Sequence, residues 1–171
     1  MLAGDDATLG RIAHVKGLVA LARQDPAAAA GHFREAAGTI PADAPGGPPA
    51  AVGHAAAAVA AARFDPRAAL RSAHRAAARR ETRNDAWATC VARYALALAD
   101  HTAGRGARAR RRVLRLLESA DGLLPDARVH VAARRLLDTV ESGDRAPGPP
   151  CGSVPGAGGA FGPCGCGRCP V

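Results

Sequence analysis

In the stretch TLGRIAHVKGLVALAR (8–23), Ile12, Val15, Val19 and Ala22 recur on one helical face, with Leu18 and Leu21 beside them. That spacing predicts an amphipathic helix whose large side chains turn toward a neighbour. Asp25-Pro26 follows, and then Ala29, Phe33, Ala36 and Ala37 make a second amphipathic set. An aspartate carboxylate accepts from the free N–H groups of a helix's first turn, and proline suits the first helical position. Asp-Pro therefore ends one helix and starts the next, and the pair forms an αα-hairpin.

Forty residues later the same unit is written again. Asp65-Pro66 matches Asp25-Pro26, and Ala68, Ala69, Ala76 and Ala77 match Ala28, Ala29, Ala36 and Ala37. The segment PADAPGGPP (41–49) breaks the chain between the copies, which places the second hairpin over 50–63 and 66–80. A third pair is less regular. DAWATCVARYALALAD sets Trp87, Val91, Tyr94 and Leu98 on one face, and GRG (104–106) supplies the turn. Val113, Leu116, Leu117 and Ala120 then point inward, and a seventh helix uses Val129, Ala133, Leu136 and Val140. A repeat of this length implies stacked hairpins, each burying its face on the next. The expected fold is all-α: about three αα-hairpins plus one extra helix over residues 1–142. A Gly/Pro/Cys-rich tail, 143–171, is expected to stay disordered unless a metal orders it.

Composition changes this picture in two ways. Hydrophobic residues make up 48% of the chain but aromatics only 3%. Much of the apolar content is alanine, so the core must come from Leu, Val and close alanine-mediated contacts. The formal net charge is +8, and Lys16 is the only lysine. Abundant Ala, Arg, Gly and Pro suggest GC-rich codons, which weakens any argument from basicity alone. The balance still permits attraction to nucleic acid, an anionic membrane or an acidic protein. No run is long and apolar enough to span a membrane, and no membrane partner is expected. Acidic residues stand where an export signal would be basic, so a cytoplasmic location with reduced cysteines is expected.

Three groups of residues are candidates for chemistry. The first is a ladder, Arg63, Arg67, Arg71, Arg75 and Arg79, opposite Ala69, Ala73, Ala76 and Ala77, with a second cluster at Arg105, Arg108, Arg110, Arg111, Arg112 and Arg115. Such faces either receive phosphates or an acidic peptide, or are the solvated sides of amphipathic helices. Stacking aromatics, usual where nucleic acid binds, are not interleaved. The second group is Cys151, Cys164, Cys166 and Cys169. Four thiolates can close a tetrahedral zinc site, but only Cys166 and Cys169 have the usual knuckle spacing. Redox pairing and a tail without function are the alternatives, and a frameshifted end would have the same composition. Zinc is the only cofactor that comes into question. The third group is the scattered histidines, His14, His32, His54, His74, His101 and His130, which read as surface or hairpin-edge residues. Cys90 reads as a small core residue, and Trp87 and Tyr94 as core between hairpins. No nucleophile motif appears, so no catalytic residue is assigned.

Gly17, Ala29, Phe33, Ala36 and Pro41 have the spacing of a tetratricopeptide repeat, and the first unit resembles that family. Ala13, Lys16 and Ala20 stand where the family usually has large residues. Trp87, Tyr94, Ala109 and Val113 keep its pattern in the third unit, but the second keeps only Ala69 and Ala76, and the period exceeds 34 residues. The resemblance covers about 8–141. More narrowly, the chain is similar to the degenerate repeats of large actinobacterial transcription regulators of the LuxR/AfsR type, without their ATPase or DNA-binding modules. The resemblance implies a right-handed TPR-like α-solenoid and a non-enzymatic scaffold in transcription regulation or signalling. A protein or peptide, acidic or extended, is expected in a groove lined by the first helix of each hairpin, with Arg11, His14, Lys16, Arg93 and Tyr94 in it. Nucleic acid on Arg67, Arg71, Arg75 and Arg79 is the alternative. Apolar ends without caps also suggest a homodimer or a fragment of a longer regulator.

Overall fold

A computed structural model of the chain describes residues 3–39, 50–79, 85–120 and 128–143. Every regular element among them is a helix: α1 (Ala3–Ala22), α2 (Pro26–Thr39), α3 (Ala50–Ala61), α4 (Pro66–Ala78), α5 (Ala86–Thr102), α6 (Gly106–Ala120) and α7 (Arg128–Glu141). Each packs on the next in sequence, and α5 also touches α3 and α7. The break at 41–49, including Pro41, lies outside the described residues, as do the four tail cysteines.

The hinges are built as their residues dictate. The Asp25 carboxylate accepts from the Ala28 N–H at 2.9 Å, and that of Asp65 from the Ala68 N–H at 2.8 Å. Pro26 and Pro66 are the first residues of α2 and α4, where the missing N–H costs nothing. Asp85 caps α5 in the same way, accepting from Trp87 and Ala88. Two of the hinges share a further device. Gln24 (φ 60°) and Gly104 (φ 76°) stand in the left-handed region. After each, the next N–H reaches back to the helix: Asp25 to the Ala20 carbonyl at 2.9 Å, Arg105 to that of Asp100 at 2.8 Å. This wraps up the helix ends that would otherwise leave carbonyls unsatisfied.

Alanine dominates the core. Ala29, Ala36, Ala55, Ala69, Ala73, Ala76, Ala97, Ala99, Ala109 and Ala133 are fully buried. The large side chains buried to the same degree are Phe33, Val113, Leu116 and Asp100. Phe33 fills the first hairpin because the opposite helix yields space to it. A Cβ placed on Gly17 would stand 2.6 Å from the Phe33 ring. Gly53 of α3 likewise approaches Ala37, with a virtual Cβ at 3.0 Å. Small residues let helix axes come to the near end of the 8–10 Å range, which replaces side-chain bulk with backbone proximity.

That preference overturns one sequence expectation. The apolar set of α1, Ile12, Val15, Val19 and Ala22 with Leu18 and Leu21, faces solvent. The face that α2 covers is Gly10, Ala13, Gly17 and Ala20. Spacing correctly predicted a helix, but not the face it buries, because Phe33 docks against the small residues. Trp87 is also not core: it is 51% exposed at the start of α5. Inward positions on α5 are Ala88, Cys90, Ala92, Ala95, Leu96 and Ala99, while Val91, Tyr94 and Leu98 are half-buried. Ala77 is exposed, and Ser72 takes an inward place beside Ala69, Ala73 and Ala76. The second helix of the first hairpin is as expected, with Ala29, Phe33, Ala36 and Ala37 all buried. Val113, Leu116, Ala133 and Leu136 are likewise inward, with Leu117, Val129 and Val140 packed around them.

Candidate binding groove

A groove of about 900 Å³ runs across the odd-numbered helices. Leu21 of α1, Val59 of α3, Tyr94 and Leu98 of α5, and Val131 and Leu136 of α7 give it an apolar lining. Its polar groups are contributed by Gln24, Arg63, His101, Thr102, Arg128, Arg135 and Thr139. No carboxylate is among the lining residues. Arg63, Arg128 and Arg135 are exposed and make no ion pair among the described residues. Three guanidiniums over an apolar floor make a site for a ligand that is apolar on one side and anionic at its edges. Burial pushes the Tyr94 phenol above its ordinary pKa. It stays protonated at neutral pH and can donate to a carboxylate.

Of the residues expected in the groove, the structure brings only Tyr94 there. His14 lies inside the first hairpin, its ring centroid 5.2 Å from that of Phe33. Its Nδ1 is buried without a hydrogen-bond partner, and burial lowers its pKa. Arg93 donates to the Ser119 hydroxyl at 3.0 Å, tying α5 to α6. Arg11 and Lys16 lie on the exposed face of α1. The groove's own arginines were hard to find from sequence. Arg63 belongs to the expected ladder, but Arg128 and Arg135 look like ordinary surface residues until α7 is laid beside α5.

The two arginine clusters separate by role. Arg67, Arg71 and Arg75 are exposed along α4, while Arg79 is half-buried and lines a 470 Å³ cleft with Ala37, His54 and Arg75. Half of the second cluster is committed to the fold. Asp100, 1% exposed, accepts from Arg112 Nε at 2.8 Å and lies 3.5 Å from Arg105 Nη1. Arg110 reaches Glu141 of α7 at 2.9 Å. Arg108, Arg111 and Arg115 remain exposed. Sequence spacing hid this because Asp100 closes an otherwise apolar run. A carboxylate in the inward register of a helix, followed by an arginine-rich one, is the signal that reveals it.

Cys90 is a buried free thiol. Burial raises its pKa, only partly offset by Arg93, which makes it a poor nucleophile at neutral pH. Among the described residues, no group of three or more His, Cys, Asp or Glu is placed to hold a metal ion, and no helix is long and apolar enough to cross a membrane. No protein-family model matches the chain, and neither curated proteins nor solved structures gave a match.

Proposed function

We propose that the chain is a non-enzymatic helical-repeat scaffold, a TPR-like solenoid, whose groove binds an acidic, partly apolar segment of a protein partner. The observation that carries this is the lining: an apolar floor from four helices, with Arg63, Arg128 and Arg135 and no carboxylate. Contacts between successive helices, and the Asp-Pro hinges forty residues apart, support the repeat reading. The resemblance of Gly17, Ala29, Phe33 and Ala36 to tetratricopeptide spacing points to a regulatory or signalling setting. A ligand strand or helix would place apolar side chains between Leu21, Val59, Tyr94 and Val131, with carboxylates on the arginines.

The test uses two fluorescein-labelled twelve-residue peptides, one alternating Glu with Leu and Phe, the other with Lys in place of Glu. Fluorescence anisotropy is expected to show binding of the acidic peptide alone, weakening as salt rises. The double variant Arg63→Glu with Arg135→Glu is expected to weaken it by about tenfold or more, two reversed charge contacts at up to about 1 kcal/mol each. Equal binding of the two peptides, or no effect of the double reversal, would sink the reading.

A further inference from the structure

The groove restricts the conformation of its ligand as well as its charge. Apart from Gln24, Ala62 and Arg63, its lining residues belong to helices, whose backbone groups bond mainly within the helix. The Thr102 hydroxyl donates to the Leu98 carbonyl at 3.2 Å and that of Thr139 to the Arg135 carbonyl at 2.8 Å, so both protons are spent on their own helices. Gln24 carries the one side-chain amide of the lining. A peptide extended over this floor would bury backbone N–H and carbonyl groups with too few partners. A helix pairs its own backbone and asks the groove only for side-chain contacts.

The cations are spaced for such a ligand. On α7, Arg128, Val131, Ala132, Arg135 and Thr139 line the groove. They stand at i, i+3, i+4, i+7 and i+11, one stripe of a helix. Arg128 and Arg135 are two turns apart, about 10.5 Å along the axis. A helix laid beside α7 repeats that distance between its own residues i and i+7. An extended chain presents side chains on one face at about 6.7 Å and then about 13.4 Å, on either side of it. Two turns of helix occupy about 800–1,200 Å³, and the groove has about 900 Å³.

Resting on the reading that an acidic partner fills this groove, we propose that the occupant is an amphipathic helix of that partner lying along α7. Its acidic residues at i and i+7 meet Arg128 and Arg135, and its apolar residues at i+3 and i+4 meet the floor between them. Val131, 48% exposed, stands in that interval, and Ala132 beside it leaves room for a leucine or phenylalanine of the partner. With no carboxylate in the lining and Arg63 contributed by α3, a basic helix of the same shape is repelled.

The experiment is fluorescence anisotropy of three fluorescein-labelled, eighteen-residue peptides titrated with the whole chain. The first is built on Ala and Gln, with two Glu seven positions apart and Leu three and four positions after the first Glu. The second alternates the same two Glu and two Leu on Thr and Gln, which favours an extended chain. The third is the first with proline at its centre, which breaks the helix. The first peptide is expected to bind about tenfold or more tighter than the other two, and to gain helical circular dichroism in the complex. The double variant R128E with R135E is expected to weaken it about tenfold or more, with the chain's own circular dichroism unchanged. Exchanging both Glu of the peptide for Lys is expected to restore binding to that variant. Equal or tighter binding of the alternating or the proline peptide overturns the helical occupant and leaves the acidic-partner reading standing. A reversed pair of arginines that has no effect, or that the Lys peptide does not rescue, overturns the register along α7. Binding of the Lys peptide to the wild-type chain as tightly as the acidic one, or no binding by any of the three acidic peptides, overturns both readings together.

Discussion

Asp100 and Arg112 form an unequal pair, and that inequality sets the cost of breaking it. Asp100 is 1% exposed and Arg112 is 33% exposed, with 2.8 Å between Oδ2 and Nε. Replacing Arg112 by Met keeps the apolar stem but leaves the carboxylate sealed in the protein. Removing one partner of a buried pair typically costs about 3–5 kcal/mol. Arg105, already 3.5 Å away, can move closer, so about 2–3 kcal/mol is expected. Asp100→Ala does the reverse. It removes the sealed charge and frees two guanidiniums that can turn to water. It also removes a negative charge from the last turn of α5, where the helix dipole opposes it. The expected cost is about 1 kcal/mol. The double variant should be close to Asp100→Ala alone, a coupling of about 2–3 kcal/mol. Thermal denaturation followed by circular dichroism reads this directly. At about 3 °C per kcal/mol for a domain of this size, Arg112→Met should melt roughly 6–9 °C lower and Asp100→Ala roughly 3 °C lower. Equal or inverted shifts, or additive ones, would refute the account of which partner is trapped.

Gly17→Ala should destabilise by about 1–2 kcal/mol, because a Cβ 2.6 Å from the buried Phe33 ring forces overpacking that outweighs the helix-propensity gain. Gly31→Ala, where nothing lies within 4 Å of the added carbon, should instead stabilise by about 0.5–1 kcal/mol; urea midpoints of the two variants separate these outcomes. His14 titrates below its ordinary value of 6.5 because burial disfavours the imidazolium. The unfolded chain therefore binds the proton first, and stability is full above about pH 6.5 and declines as pH falls toward the lowered folded value. A His14→Phe variant should lack that component below pH 6.5 in urea titrations, and an unchanged slope there would count against it.

What could be seen in the sequence was mostly local. Asp25-Pro26 and Asp65-Pro66 specify their hinges through contacts spanning three residues, and Gly104 supplies its own positive φ. The inward face of α2 followed from Phe33, which has nowhere else to go. The face of α1 did not follow, because periodicity identifies two faces without saying which one a neighbour takes. Gly17 decided it, through a contact with a ring sixteen positions away. Trp87 was misplaced for a related reason. Large aromatics usually close a core, but here alanines on α5 already fill the available space. The groove's position on the odd helices was expected. Its charged residues were not, since Arg128 and Arg135 gain meaning only when α7 lies against α5.

The alanine interior also shapes how the protein responds to temperature. Exposure of apolar surface raises heat capacity on unfolding, and each alanine has little such surface to expose. The curve of stability against temperature should then be broad and shallow, with heat and cold limits far apart for a modest maximum. A fold held by backbone proximity gives up peak stability and gains a wide thermal range over which that stability scarcely changes.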